Sequence, residues 1–325
     1  MHAIIVSPSG PALEEVPIPA CRPHQVLVRV RAAALNRADL HVAAGGKHGR
    51  SGGLGAIVGI EWAGEVVEIG SEVPGGLAVG DAVMCSGTGG YAEYAVTDWG
   101  RVYRLPDGWG DFAHAATLPV ALQTAHDALV GSGGFRAGET VLVQGATSGV
   151  GLMTMQVARQ LGAALVIGTS TTSERRAHLP EYGADLALDS TRDDWPEKIL
   201  DATDGVGVDL VVDFVAGPTV NASMRATRLC GRIVNVGRMG GHSGDFDYDL
   251  HSLRRIRYIG ATFRTRSLDE VREIARAMRS DLWDAVCDGR LRLPISRRYA
   301  LADAGKAIAC MRANAHFGKV VLDVA

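Results

Sequence analysis

A segment near the middle of the chain, Thr140-Val-Leu-Val-Gln-Gly-Ala-Thr-Ser-Gly-Val-Gly151, joins a short apolar strand to a glycine-rich turn and then to an amphipathic helix. Such a turn needs small residues so that its backbone N–H groups can approach a pyrophosphate, and the helix that follows aims the positive end of its dipole at the same charge. Ala146 and Ser148 stand where the first two glycines of a G-x-G-x-x-G fingerprint would fall, and Gly151 keeps the third. The string alone is weak, so its context carries the inference. Val150, Met153, Val157 and Leu161 recur at helical spacing, and Gly162 stands where a C-terminal cap belongs. Short apolar runs follow at Ala164–Ile167, Leu186–Leu188, Val208–Asp213, Arg232–Val236 and Tyr258–Ala261, alternating with helix candidates. That alternation predicts an α/β, doubly wound parallel sheet covered on both faces. The competing reading is a glycine-tolerant turn in some other α/β protein.

The preceding region has a different texture. Val26, Val28 and Val30 alternate on one face of Gln25–Arg31, and further strands are expected at Glu61–Ile69, Asp81–Met84 and Tyr91–Val96, separated by turns such as Pro74-Gly75-Gly76. This predicts an all-β, barrel-like domain that ends near Leu105–Gly108. A helical stretch from about Asp111 to Leu129 then crosses to the glycine-turn half. Later, Ser267 and Glu270 form a capping box, and Leu268, Val271, Ile274, Met278 and Leu282 stripe one helix face. A helix over Ala302–Ala313 and a strand over Lys319–Leu322 can return to complete the first domain.

A chain of 325 residues with 47% hydrophobic and 21% charged content has room for two soluble domains. Its formal net charge of -3 offers no general attraction to nucleic acid or to an anionic membrane. No apolar run reaches the length of a membrane span, and Met1–Val6 lacks a basic segment followed by a long apolar one, so the expected location is the cytoplasm. Five widely spaced cysteines suit reduced thiols better than a disulfide framework.

Several segments match a known pattern in order: Ala33–Leu40, Gly59–Val67, Gly90–Ala95, Leu118–Ala121 with Thr124, Gly145–Gly151, Gly231–Gly237, Gly260–Arg264 and Phe317–Val321. Across nearly its whole length the chain resembles the medium-chain dehydrogenase/reductase superfamily, and within it the zinc-independent quinone oxidoreductase branch. The resemblance implies a GroES-like β-barrel catalytic domain over 1–118, completed by 282–325, and a six-stranded Rossmann NADP(H)-binding domain over 119–281. It also implies cofactor and substrate in the cleft between the domains, and a homodimer. A catalytic zinc in this superfamily would need a thiolate near Asn36 and an imidazole after Gly59, but the chain offers an amide and Ile60. Of the four cysteines of a structural zinc, only Cys85 is in place. No metal is therefore expected. Without a Lewis acid, hydride transfer to an ordinary ketone is disfavoured, whereas a quinone or enone spreads its charge onto a delocalised oxygen that a few hydrogen-bond donors can stabilise.

By family position Asn36 is the first candidate donor, and Asp39 would orient local backbone or cofactor hydroxyls. An Asx-type turn opening a helix is the alternative for both. The loop Gly45–Gly53 lacks the tyrosine many relatives carry, leaving Lys47 or His48 as candidate proton donors, with the His48 pKa the better suited. A mobile glycine-rich lid, with protonation by solvent, is the plainer alternative. The glycine turn would hold the pyrophosphate through Gly145, Ala146, Thr147, Ser148, Gly149, Val150 and Gly151. No acidic residue lies between Gly151 and Glu174 to bind ribose hydroxyls; Thr169 and Ser170 can donate to a 2′-phosphate and Arg175 supplies the matching charge, which points to NADPH. A Thr171-x-x-Glu174 capping box is compatible with the same string. From the family, Thr124 would lie near the nicotinamide, Gly237 would pass under it, and Phe263, Arg264, Asn314 and Lys319 would line the cofactor channel; each has an alternative in packing or surface solvation, and for Phe263 and Phe317 core packing as the sole role is favoured. The expected activity is NADPH-dependent hydride transfer to a small-molecule quinone or α,β-unsaturated carbonyl. Two alternatives stay open: an enoyl-thioester reductase, and an NADPH-binding sensor or structural protein without significant turnover.

Overall fold

The computed structural model describes residues 1–49 and 51–325, so Arg50 of the glycine-rich loop lies outside the described residues. The chain divides into two compact units. One comprises 1–120, 263–277 and 292–325, and the other 121–262 and 278–291. The tail expected to return from residue 282 is thus shared, and its share in the first unit starts at 292.

The first unit is built on antiparallel strands. Gln25–Ala34 is the hub: it pairs with Glu61–Ile69, with Tyr94–Asp98 and with the C-terminal strand Lys319–Asp323. Ala82–Ser86 and Val102–Arg104 extend the sheet at one side, and Ile295–Ala300, parallel to Lys319–Asp323, at the other. Val26, Val28 and Val30 are fully buried, as the alternation requires, and they pack with Trp62, Val66 and Tyr91 in one core. Each such side chain contributes roughly 1.5–3 kcal/mol by leaving water.

The second unit is a six-stranded parallel sheet in the order Leu186–Asp189, Leu165–Ser170, Thr140–Gln144, Val208–Asp213, Thr227–Asn235, Arg257–Gly260. The first strand in sequence therefore lies at the centre, with the order running outward from it in both directions. That is the doubly wound Rossmann arrangement, and it puts a topological switch point at the carboxyl ends of Thr140–Gln144 and Val208–Asp213. Val141, Leu142, Val143, Val211 and Val212 are all fully buried, the signature of strands covered on both faces.

Two expectations need correction. The single helix foreseen from Asp111 to Leu129 is three pieces: Phe112–Ala115, Pro119–His126 and a π turn over Asp127–Gly131. Pro119 accounts for the break, since it has no N–H to give and disfavours helical geometry at Leu118. The loop Gly45–Gly53 is also less irregular than foreseen, because Lys47 pairs with Gly52 and His48 with Ser51 in a short ribbon. By contrast, the box at Ser267 and Glu270 forms with both reciprocal bonds, at 2.7 and 3.2 Å. It opens the helix Leu268–Cys287, where Val271, Met278 and Leu282 are buried, Ile274 is half-buried and Leu268 is exposed. Among the described residues no helix is long and apolar enough to cross a membrane.

Candidate functional site

At the switch point the chain turns at Gly145, whose φ of +74° suits glycine, and enters the helix Gly149–Gln160. Ser148 caps that helix: its Oγ accepts the Gly151 N–H at 3.1 Å and donates to the Gly145 carbonyl at 2.9 Å. The Ser148 side chain is thus committed to the turn, leaving its backbone for a ligand. A Cβ on Gly151 would stand 2.6 Å from the Gly145 carbonyl oxygen and 2.8 Å from Ala146 Cα, so turn and helix meet only because residue 151 has no side chain. The turn thus presents backbone N–H groups with the amino end of a 12-residue helix behind them, the chemistry a pyrophosphate needs.

Thr169 is a correction. It is fully buried, its hydroxyl donates to Gln144 Oε1 at 2.6 Å and accepts the Gly145 N–H at 3.3 Å, and so no donor remains for a phosphate. Its role is to hold the glycine turn from the neighbouring strand, which its carbonyl also does by accepting the Ala146 N–H at 3.0 Å. Ser170 is buried 3.5 Å from Thr147 Oγ1 and accepts the Thr172 N–H at 3.3 Å. The alternative, a capping box at Thr171 and Glu174, does not form, because the short helix Ser173–Arg176 starts one residue later, with Thr172 as an N-cap that makes no side-chain bond. Arg175 is half-buried on that helix. Its neighbour Arg176 donates to the Ser170 carbonyl at 3.0 Å and pairs with Asp189 at 3.2 Å.

Asp213, read in the sequence only as a strand end, is a buried carboxylate at the switch point. Its Oδ1 accepts the Val215 and Ala216 N–H groups at 2.8 and 2.9 Å, while Oδ2 is buried with no partner, and burial holds the carboxyl above its ordinary pKa. The turn it holds is strained, with Ala216 at φ +58° and ψ −158°. Gly237 is pressed against this turn: a Cβ there would lie 2.4 Å from the Phe214 carbonyl oxygen. Thr124 is half-buried on the helix Pro119–His126.

In the first unit, Asn36 and Lys319 come together, and Glu61 joins them. Asn36 Nδ2 donates to Glu61 Oε1 at 2.8 Å, Lys319 Nζ donates to Asn36 Oδ1 at 3.0 Å and to Glu61 Oε1, and Glu61 Oε2 accepts the Val120 N–H at 2.9 Å. Lys319, expected to line a channel, is instead a buried ion-pair partner. Asp39 does orient local backbone: Oδ2 accepts the Asn36 N–H and the Tyr91 hydroxyl, each at 2.8 Å. It is fully buried, which leaves no reach to a cofactor hydroxyl. The sequence marks Glu61 and Tyr91 only as the first residues of expected strands. The usable signal is a carboxylate opening the run Glu61-Trp-Ala-Gly64, all four of which are buried.

Burial, opposed by the Tyr91 and Asn36 bonds and by Lys319 and abetted by Glu61, raises the Asp39 carboxyl from 3.8 to about 7. The folded chain therefore keeps a proton that the unfolded chain has released, so this group's stabilisation is complete below pH 3.8 and is lost as pH rises through about 7. Asp39→Asn keeps an acceptor for both donors and cannot ionise. Relative to that variant, the wild type should lose on the order of 2–3 kcal/mol between pH 5 and 8. Chemical denaturation of both proteins across that range checks the sign, and parallel curves would refute it.

Lys47 is exposed, whereas His48 is half-buried, and burial first, then the charges of Arg264 and His41, hold its pKa below the usual value. Near neutral pH His48 is thus a neutral imidazole, not the ready acid its ordinary pKa implied. Arg264 and His48 are neighbours in this way, while Phe263 is half-buried with the Arg266 guanidinium 5.8 Å from its ring centroid. Asn314, at φ +55°, accepts from Arg37 at 2.8 Å. Among the described residues no cluster of three or more His, Cys, Asp or Glu is placed to hold a metal ion.

Family models match both parts of the chain: an alcohol dehydrogenase GroES-like domain over residues 22–107 and a zinc-binding dehydrogenase over 149–280. The quinone oxidoreductase of Rattus norvegicus is 33% identical over 228 residues, covering 70% of this chain and 68% of that protein. A phenolphthiocerol synthesis polyketide synthase of Mycobacterium bovis is 35% identical over 327 residues, covering 96% of this chain but 14% of the synthase. The chain spans less than a fifth of the length of the polyketide synthases it matches. Among solved structures, mycobacterial Rv1454c complexed with NADPH superposes with a TM-score of 0.87 at 27% identity, covering 99% of this chain and 100% of that one.

Proposed function

The chain belongs to the quinone oxidoreductase branch of the medium-chain dehydrogenase/reductase superfamily, and from that premise we propose that it reduces a quinone or α,β-unsaturated carbonyl with NADPH and without zinc. One observation carries the reading. The side chains gathered at Asn36 are its own amide, the Lys319 ammonium, the Glu61 carboxylate that Lys319 neutralises, and the Asp39 carboxyl, whose Oδ2 is taken up by the Asn36 backbone N–H and the Tyr91 hydroxyl. That set offers an N–H to a negatively charged oxygen, and both oxygens of its Glu61 carboxylate are already engaged by protein donors, which suits such an oxygen better than a divalent cation. Bound NADPH would supply the hydride. Reduction of a conjugated acceptor places negative charge on a carbonyl oxygen, and the Asn36 amide is the side-chain donor available to meet it. The N–H groups of Gly145–Gly151 would hold the pyrophosphate, and Arg175, with Ser170, the 2′-phosphate. Thr124, Gly237, Phe263, Arg264 and Asn314 would complete the cofactor's surroundings. Lys47 or solvent would return the proton.

Arg175→Ala is expected to raise the Kd for NADPH about 10- to 100-fold, the worth of one charge-assisted contact, and to leave NADH unaffected. Calorimetry with both nucleotides checks this, and an equal loss for both would remove Arg175 from the 2′-phosphate site. A second reading, reduction of an enoyl thioester, is favoured by the polyketide synthase matches, which cover 92–96% of the chain against 70–74% for the quinone oxidoreductases. NADPH oxidation with quinones, simple enones and enoyl thioesters decides between them. If NADPH binds and no acceptor is reduced, the chain is a sensor. A homodimer in the cytoplasm completes the proposal, supported by the outermost strand Arg257–Gly260 and by exposed Tyr248 and Leu253 on the helix before it. A single-chain mass in light scattering would overturn that part.

A further inference from the structure

An asparagine amide can present either its oxygen or its nitrogen to a neighbour, and at a half-exposed position it ordinarily does both. At Asn36 the neighbours leave one choice. Lys319 can only donate, so it must face Oδ1, which it does at 3.0 Å; the carboxylate of Glu61 can only accept, so it must face Nδ2, which it does at 2.8 Å. A flipped amide would set oxygen against carboxylate and nitrogen against ammonium. Glu61 and Lys319 are themselves held: Glu61 is fully buried, Lys319 is 4% exposed, they pair with each other, and the Val120 N–H fixes the second oxygen of Glu61 at 2.9 Å. The backbone of Asn36 is tied down independently by Asp39. Of the two Nδ2 hydrogens, one is committed to Glu61, and the other meets only the Ala34 carbonyl at a long 3.5 Å.

We infer that Glu61 and Lys319 are positioning residues, whose buried ion pair locks the Asn36 amide so that its second N–H, held otherwise only by the long contact to the Ala34 carbonyl, is available to the oxygen of an acceptor. The inference rests on the proposed reaction for its consequence in turnover. The locked geometry itself does not depend on it. A preorganised donor avoids reorganisation during reaction, whereas a rotating amide must be ordered each time.

The test replaces both members of the pair, Glu61→Gln with Lys319→Met, because removing one alone leaves a buried charge. In protein labelled with 15N at asparagine, the Asn36 side-chain N–H signals, identified by their loss in Asn36→Asp, should show protection from solvent exchange that falls at least about tenfold in the double variant, a factor set by loss of one hydrogen bond. Turnover of the best acceptor should fall about 10- to 100-fold in kcat, with KM and the Kd for NADPH changed less than about threefold. Unchanged protection overturns the locking whatever the activity. Lost protection with kcat near that of the wild type overturns the role in turnover. Should the wild type reduce none of the acceptors while protection is still lost in the double variant, the proposed reaction fails and the locking stands.

Discussion

Gly151→Ala is expected to lower the affinity for NADPH at least about 100-fold, equivalent to about 2.7 kcal/mol, and to cost the fold about 1–3 kcal/mol through overpacking. Two opposed effects meet at this residue. Alanine is the better helix former by up to about 1 kcal/mol in a helix interior, and by less in the first turn, where residue 151 stands. Against that, the new methyl group would lie 2.6 Å from the Gly145 carbonyl oxygen and 2.8 Å from both Cα and the carbonyl oxygen of Ala146. All three are backbone atoms, which cannot swing aside as a flexible side chain would. The turn itself is pinned from the other side by Thr169 and Gln144, so relief must come from the helix moving outward. Such a shift breaks the Ser148 cap and spreads the N–H groups that would converge on a phosphate. The clash therefore outweighs the propensity, and binding suffers more than stability. Thermal melting and calorimetric titration measure the two separately. A folded variant that binds NADPH normally would show that the close approach of helix and turn is not what arranges the phosphate site.

The parts of this molecule legible in its sequence are those governed by local period and local chemistry. The strand Val208–Asp213 runs over the residues its apolar pattern marks, and the Ser267 and Glu270 box forms as its spacing requires. The glycine turn falls at the centre of the sheet because the strand before it is the first of the alternating series. Hydroxyl commitments are less visible. Thr169 and Ser170 look equally able to meet a phosphate, yet one faces Gln144 across the strand pair and the other faces the turn, a difference set by strand register. Least visible is the Asn36 cluster. Lys319 is 258 residues from Glu61, and only the pairing of the C-terminal strand with Gln25–Ala34 brings the ammonium to the carboxylate. No window along the chain contains both halves of that ion pair. Family resemblance pointed to Lys319 as a residue lining the cofactor channel, and carried no sign of its ion pair with Glu61.

Lys319→Met alone is expected to destabilise the protein by about 3–5 kcal/mol, the usual cost of stripping one partner from a buried ion pair. At roughly 2–4 °C per kcal/mol for a unit of this size, the melting temperature should fall by roughly 10 °C. Methionine fills much of the volume of the lysine stem, so lost packing is a minor part. The larger part is the carboxylate left behind: Glu61 is fully buried, and its remaining donors, Asn36 Nδ2 and the Val120 N–H, are neutral dipoles that cannot replace an ammonium. Adding Glu61→Gln to the same chain removes that charge while keeping an acceptor for either donor. The double variant should therefore be more stable than Lys319→Met alone, a non-additivity of at least about 2 kcal/mol in a double-mutant cycle. If the second substitution gives no recovery, the loss came from the lysine's own packing and the unpaired carboxylate was not its cause. If Lys319→Met melts with the wild type, the ion pair contributes nothing to the fold, and a site that can shed it so readily would have no rigid amide to offer.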